Sequence, residues 1–200
     1  MVISKLLLIL ILTFSFQSWS KADDISDFQI EGMSVGDSLL DHANTIGISK
    51  DQIYNKKLFY YPKSKKYGGI AFSDRGFYNT YKRIQFTINP VTFIIEDISG
   101  IIAITNKEDC EQKQKKIFKE LSGLFKSAKI DQDPFIKHSF DKSGVSEANG
   151  FYLDFKNGDE ISVECYLWSK EIRDERNWDD NLKVTIRPKK MRSFLQNEAY

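Results

Sequence analysis

The sequence predicts an α+β domain: a largely antiparallel β-sheet of about eight or nine strands, one central amphipathic helix and a C-terminal helix. Three observations carry that expectation. Runs of period-two alternation recur from Leu58 onward, clearest in Lys82–Ile88 and Ile161–Trp168. One stretch, Lys107 to about Ala128, instead spaces Cys110, Ile117, Leu121, Leu124 and Phe125 at helical intervals between lysines and glutamates. The resulting order of strands, helix, strands, helix lacks the helix between nearly every strand pair that a parallel sheet requires.

The chain starts with a different kind of segment. Lys5, an apolar run from Leu6 to Phe16, polar Gln17 to Lys21 and the small residues Ser20 and Ala22 form the pattern of a secretory signal peptide, with cleavage between Ala22 and Asp23. The apolar run is short against the roughly 20 residues of a membrane crossing, so no transmembrane segment is expected once the signal is removed. The expected organisation is a signal peptide over residues 1–22 and a single α+β domain over residues 23–200. Two similar halves, each a meander followed by a helix, are the alternative, without a motif-level repeat to support it.

Within the mature chain, Phe28 and Ile30 alternate in a short predicted strand ending at Gly32. Ser34 with Asp37, and Ser49 with Gln52, have capping-box spacing and predict two short helical segments between residues 35 and 56. Leu58–Tyr61, Ile70–Phe72 and Tyr81–Ile88 read as hairpin strands, with Pro62 to Gly69 as a lysine-rich connection. Val91 to Thr105 is β-rich, and Ser99-Gly100 predicts a bulge or tight turn within it. After the central helix come strands at Phe135–Phe140, Phe151–Phe155 and Ile161–Trp168, the last two joined by an Asn157-Gly158 hairpin turn. The polar stretch Ser169 to Asn181 links to a strand at Leu182–Arg187. Pro188 then opens a helix with Met191, Phe194 and Leu195 on one side.

The two cysteines are predicted to meet. Cys110 lies seven residues before Ile117 on the helix stripe, and Cys165 shares its strand face with Ile161, Val163 and Leu167, so both point inward. In an exported chain such a pair forms a structural disulfide; redox catalysis would call for C-x-x-C or an exposed low-pKa thiol.

Composition narrows the function. The chain has 29 Lys and Arg against 28 Asp and Glu; without Lys5 and Lys21 the mature balance is 27 against 28, which removes the strongly basic face of a nucleic-acid binder. Two scattered histidines and paired cysteines leave only the acids Asp174, Glu175, Asp179 and Asp180 for a metal, and these follow no calcium-loop pattern. No phosphate-cradling or dinucleotide motif follows a strand, so no cofactor is expected. Two basic patches stand out: Lys56, Lys57, Lys63, Lys65 and Lys66 interleaved with Tyr60, Tyr61 and Tyr67, and Arg187, Lys189, Lys190 and Arg192. Each suits either an anionic envelope surface or a lysine-decorated sheet edge.

Gly36-Asp37-Ser38-Leu39 resembles the nucleophile block of the GDSL esterases and lipases, and Gly32-Met-Ser34-Val-Gly36 fits the G-x-S-x-G elbow. That resemblance implies a serine nucleophile served by a histidine and an aspartate. The family's Asp-x-x-His block has no match, since Phe135 stands three residues before His138, and its Gly-x-Asn-Asp block is missing as well. His42, one turn from Ser38, is the only nearby imidazole, and no orienting acid is evident; a capping turn accounts for the same residues.

The segment Phe28-Gln-Ile-Glu-Gly-Met-Ser-Val-Gly-Asp-Ser-Leu-Leu-Asp41, with Asp109-Cys110 and Val163-Glu-Cys-Tyr-Leu-Trp168, resembles a group of small uncharacterised exported proteins of marine Gram-negative bacteria. The resemblance covers most of the mature chain and departs at His42 and Ala43, where an aromatic residue is expected. It implies a periplasmic or secreted address and paired cysteines, and carries no activity. The expected function is therefore a non-enzymatic binding or interaction module presenting a sheet face or the lysine-tyrosine loop to a cell-envelope partner. The alternative is a secreted GDSL-like ester hydrolase using Ser38 or Ser34.

Overall fold

The computed structural model describes Ile25 and residues 28–200; the expected signal peptide and its Ala22–Asp23 cleavage site lie outside the described residues. A 3-10 turn at Leu39–His42 leads into two short helices, α1 (Ala43–Ile46) and α2 (Lys50–Tyr54). Four strands follow, β1 (Phe59–Tyr61), β2 (Ser64–Ser73), β3 (Arg83–Ile88) and β4 (Ile95–Ala103), then helix α3 (Lys107–Leu124). The second half holds β5 (Lys129–Lys137), β6 (Glu147–Asp154), β7 (Glu160–Leu167), α4 (Lys170–Arg176), β8 (Asn181–Arg187) and α5 (Lys189–Asn197). The eight strands form one sheet in the order β1-β2-β3-β4-β8-β7-β6-β5, every pair antiparallel. Two meanders, each followed by a helix, thus meet edge to edge through β4 and β8. The α+β class and the antiparallel sheet are as the sequence predicts.

One face of this sheet is apolar. Ile84 and Phe86 on β3, Ile98 on β4, Ile161, Val163 and Cys165 on β7, and Val184 and Ile186 on β8 are all buried there. Each such side chain contributes roughly 1.5–3 kcal/mol by leaving water. Helix α3 packs over β6, β7 and β8 on this face, while Ile30, Met33, Leu39, Ile46 and Ile53 from the N-terminal stretch join the same core.

Local chemistry fixes where α3 starts and stops. Asn106 caps it by accepting the Asp109 amide at 2.8 Å, and Asp109 in turn accepts the Thr105 amide at 2.9 Å. The buried stripe is Cys110, Gln114, Phe118 and Leu121. The helix ends at Leu124, short of the expected Ala128, because Phe125 turns out of helical geometry and sets its ring edge-on to Phe28 at 6.1 Å and Phe155 at 5.2 Å. Leu124, expected on the stripe, is half exposed.

Four further expectations are corrected. Phe28–Ile30 is no strand: Ile30 and Met33 bridge across a tight turn in which Glu31 and Gly32 take positive φ, and the Glu31 carboxylate accepts the Asn79, Thr80 and Tyr81 amides. The Pro62–Gly69 connection shrinks to a turn at Pro62–Lys63, since β2 already begins at Ser64. The polar link after Ser169 contains α4, capped by the Ser169 hydroxyl, which accepts the Ile172 amide at 3.3 Å. Finally, Ser99-Gly100 is continuous strand, Gly100 pairing with Ile84 on one side and Val184 on the other, and the bulge lies at Thr87/Ile88. Glycine is required at 100 for another reason: a Cβ there would stand 2.3 Å from the Tyr81 ring. Gly100→Val is expected to lose about 1–3 kcal/mol through overpacking, measured as a lower urea midpoint.

Candidate ligand-binding face

The opposite face of the same strands is polar. Antiparallel pairing sets Glu160, Ser162, Glu164 and Tyr166 of β7 opposite Arg187, Thr185, Lys183 and Asn181 of β8. The rows continue through Asp97, Ser99 and Ile101 on β4 to Thr87, Gln85 and Arg83 on β3.

Helix α5 seals one end. Met191 and Phe194 bury themselves against Tyr67, with Tyr61 beside them, and Tyr61 shares a hydrogen bond with Thr87 at 3.1 Å. Beneath the helix, Arg187 donates to Asp97 at 2.8 Å and to Glu160 at 3.1 Å, and Arg192 donates to Asp154 at 2.7 Å. Burial raises the Glu160 carboxyl above its ordinary range despite both guanidiniums. Parts of both basic patches pair within the molecule, while Lys56, Lys57, Lys63 and Lys65 stay exposed. Arg187 and Arg192 are internal, Lys190 pairs with Glu96, Lys66 pairs with Glu198, and Tyr67 is nearly fully buried.

The middle of the face is differently built. Its floor is hydroxylic: Ser99 and Thr185 share a hydrogen bond at 3.0 Å, and both are buried. Above it, the Glu164 carboxylate accepts from the Ser162 hydroxyl at 2.9 Å and from the Tyr166 hydroxyl at 3.2 Å. Lys183 stands directly across from Glu164, half-buried, yet makes no hydrogen bond or ion pair among the described residues. Enclosure pushes its ammonium pKa down, against the pull of Asp97 and Glu164. Arg83, in the same row beyond Ile101, is also without an ion pair among the described residues.

At the far end lies an aromatic cluster drawn from three segments. Tyr166 and Trp168 stack with centroids 5.6 Å apart, His138 and Trp178 stand 4.7 and 4.9 Å from Trp168, and Phe140 lies 5.3 Å from Trp178. The Arg176 guanidinium sits over the Phe140 ring. Phe140 and Trp178 remain 44% and 36% exposed, enough to leave a wet aromatic surface. The Phe140 amide donates to His138 Nδ1 at 3.2 Å, so the neutral imidazole carries its proton on Nε2, a donor with no acceptor among the described residues. Burial lowers the His138 pKa and favours that neutral form.

Asp141 holds the loop that carries His138 and Phe140. Its carboxylate accepts from the Ser146 hydroxyl at 2.6 Å and from the Ser146 and Ser143 amides, and these bonds, Ser146's first, keep its pKa far below the carboxylate range. A depressed pKa stabilises the fold above the unfolded value, and that contribution disappears as pH falls through the folded value. Asp141→Ala is expected to speed amide exchange at Ser143 and Ser146 at neutral pH. The wild type should approach that behaviour only in strong acid.

The other sequence candidates fall elsewhere. Cys110 and Cys165 are joined as a disulfide, both fully buried. The Gly36–Leu39 block is stitched to the start of β4: the Gly36 amide donates to Ile95, the Ile95 amide to Asp37, and the Leu39 amide to Phe93. His42 Nε2 pairs with Asp37 Oδ2 at 2.9 Å, and Asp37 also accepts the Ser34 amide at 2.9 Å. The orienting acid that sequence reading did not find is thus Asp37, but neither the Ser34 nor the Ser38 hydroxyl hydrogen-bonds His42 among the described residues. Of the two capping boxes, only that of Ser49 and Gln52 is complete. Asp174, Glu175 and Asp180 pair with Lys170, Arg176 and Arg173, and the described residues hold no group of three His, Cys, Asp or Glu placed for a metal. On the apolar face, a groove of about 400 Å³ runs between α3 and β5–β6, but its floor is occupied by Gln114 and Asn149, bonded to each other, with Gln114 also donating to the Val163 carbonyl.

No family model, curated protein or solved structure matches the chain.

Proposed function

We propose that the mature chain is an exported, non-enzymatic binding module that takes its ligand on the polar sheet face, around Lys183 and the aromatic cluster. The observation that carries this reading is Lys183. Its half-buried ammonium makes no hydrogen bond or ion pair among the described residues, and holding it so costs free energy that an acceptor on a ligand would offset. The signal-peptide pattern and the disulfide support export, and none of the described helices is long and apolar enough to cross a membrane. The kinship with small exported proteins of Gram-negative bacteria belongs to this proposal too. A glycan array probed with the wild type, Lys183→Met and Lys65→Met tests it. Retention lost only in Lys183→Met is expected; retention lost only in Lys65→Met would move the site to the lysine-tyrosine hairpin and contradict the proposal.

The Asp37–His42 pair favours a second reading, an ester hydrolase using Ser38. Fluorophosphonate labelling that disappears in Ser38→Ala would replace the binding reading with this one. An unlabelled wild type removes it.

A further inference from the structure

We infer that the polar face binds an acidic oligosaccharide, with a sugar carboxylate on Lys183 and a sugar ring farther along the same chain against the Trp168–Trp178–Phe140 cluster. This rests on the reading of the face as the binding site and adds the ligand class.

Three features select that class. The first is the distance between the two parts. Lys183 lies opposite Glu164, and Trp168 follows four residues beyond Glu164 on the same face, about 13 Å along the strand, with Tyr166 stacked between them. Charge and aromatic surface are thus separated by more than one saccharide unit, a span that an oligosaccharide bridges and a single sugar does not. The second is the chemistry of the lining. Half-exposed ring faces accept the C–H faces of a pyranose, while the Glu164 carboxylate, Lys183 and the free His138 Nε2–H offer an acceptor and two donors to its substituents. An apolar ligand would leave those groups unsatisfied.

The third feature is the sign and size of the charge. One ammonium directly opposite a carboxylate can hold a monoanion; a phosphate dianion would meet Glu164 at close range with a single lysine to compensate it. A sugar carboxylate therefore fits the site better than a sugar phosphate. Arg83, farther along the same row, is placed for a second carboxylate on a longer chain.

Isothermal titration of the mature, disulfide-bonded protein with trigalacturonate, maltotriose and glucose 1-phosphate tests the inference. Trigalacturonate should bind at least about tenfold more tightly than maltotriose, the worth of one charge-assisted hydrogen bond. Lys183→Met should abolish that preference, while Trp178→Ala weakens both trisaccharides by about fivefold and leaves the preference intact. Urea midpoints check that both variants are folded. Equal affinity for the two trisaccharides, tighter binding of glucose 1-phosphate, no heat with any of them, or binding indifferent to both substitutions would overturn it. If the glycan array then shows Lys183-dependent retention of some other ligand, the binding-face reading stands and only the acidic-sugar assignment fails.

Discussion

Removing the disulfide as Cys110→Ala together with Cys165→Ala is expected to destabilise the fold by about 4 kcal/mol, the chain-entropy value for a bridge of this span. The cysteines are 55 residues apart in sequence, and the bridge ties α3 to β7 across the apolar face. Against the roughly 5–15 kcal/mol of a typical domain the loss is large. Urea titrations of the oxidised protein, the reduced protein and the double variant provide the measurement, and the last two should agree. A loss below about 1 kcal/mol would mean that packing alone docks α3 and that the loop closure is idle.

Arg187→Met is expected to cost about 3–5 kcal/mol at neutral pH, because it strands Asp97 and leaves Glu160 with Arg192 alone, and both carboxylates are only 7% exposed. Its pH dependence follows from Glu160, whose folded pKa already lies above its ordinary 4.5 and rises further without the guanidinium. A raised carboxyl pKa favours the protonated group in the folded state. Its stabilising contribution is therefore complete below the unfolded value and is lost as pH climbs through the folded one. The deficit of the variant relative to wild type should be widest at pH 7 and shrink on acidification toward 4.5 and below. A deficit independent of pH would show that lost packing of the arginine stem, not stranded charge, is responsible.

The fold was legible where one face of an element is apolar. The alternation in Ile161–Leu167, the Asn157-Gly158 turn and the α3 stripe each report a local period, and a local period suffices for them. Three elements escaped because their cues are not hydrophobic. Helix α4 carries a single buried apolar residue, Ile172, and depends on its Ser169 cap. The start of β2 is lysine-rich, runs past the end of β3 and reads as loop. The turn after Ile30 needs positive φ at Glu31, a residue that gives no such signal, and its reason lies 48 residues away in the Asn79 amide.

The candidate face was less legible for a related reason. Lys183 and Glu164 are 19 residues apart, and the period-two pattern of each strand says only that both point away from the core; the β7–β8 register makes them neighbours. The aromatic cluster is less visible still, since His138, Phe140, Trp168 and Trp178 come from the ends of strands and from loops. The available signal was the density of aromatic residues in Cys165–Trp178, set beside a polar strand face. The serine motifs drew attention to Gly32–Leu39 instead, where the structure uses the same residues to anchor the chain to β4.

Hydrogen exchange of the mature chain with and without trigalacturonate bears most directly on the claim that the polar face is the functional surface. Protection should appear at residues 164–168 and 181–183, extend to 138–140, and be lost in Lys183→Met. Protection confined to residues 59–67 or 34–42, with the β7–β8 face unchanged, would contradict it.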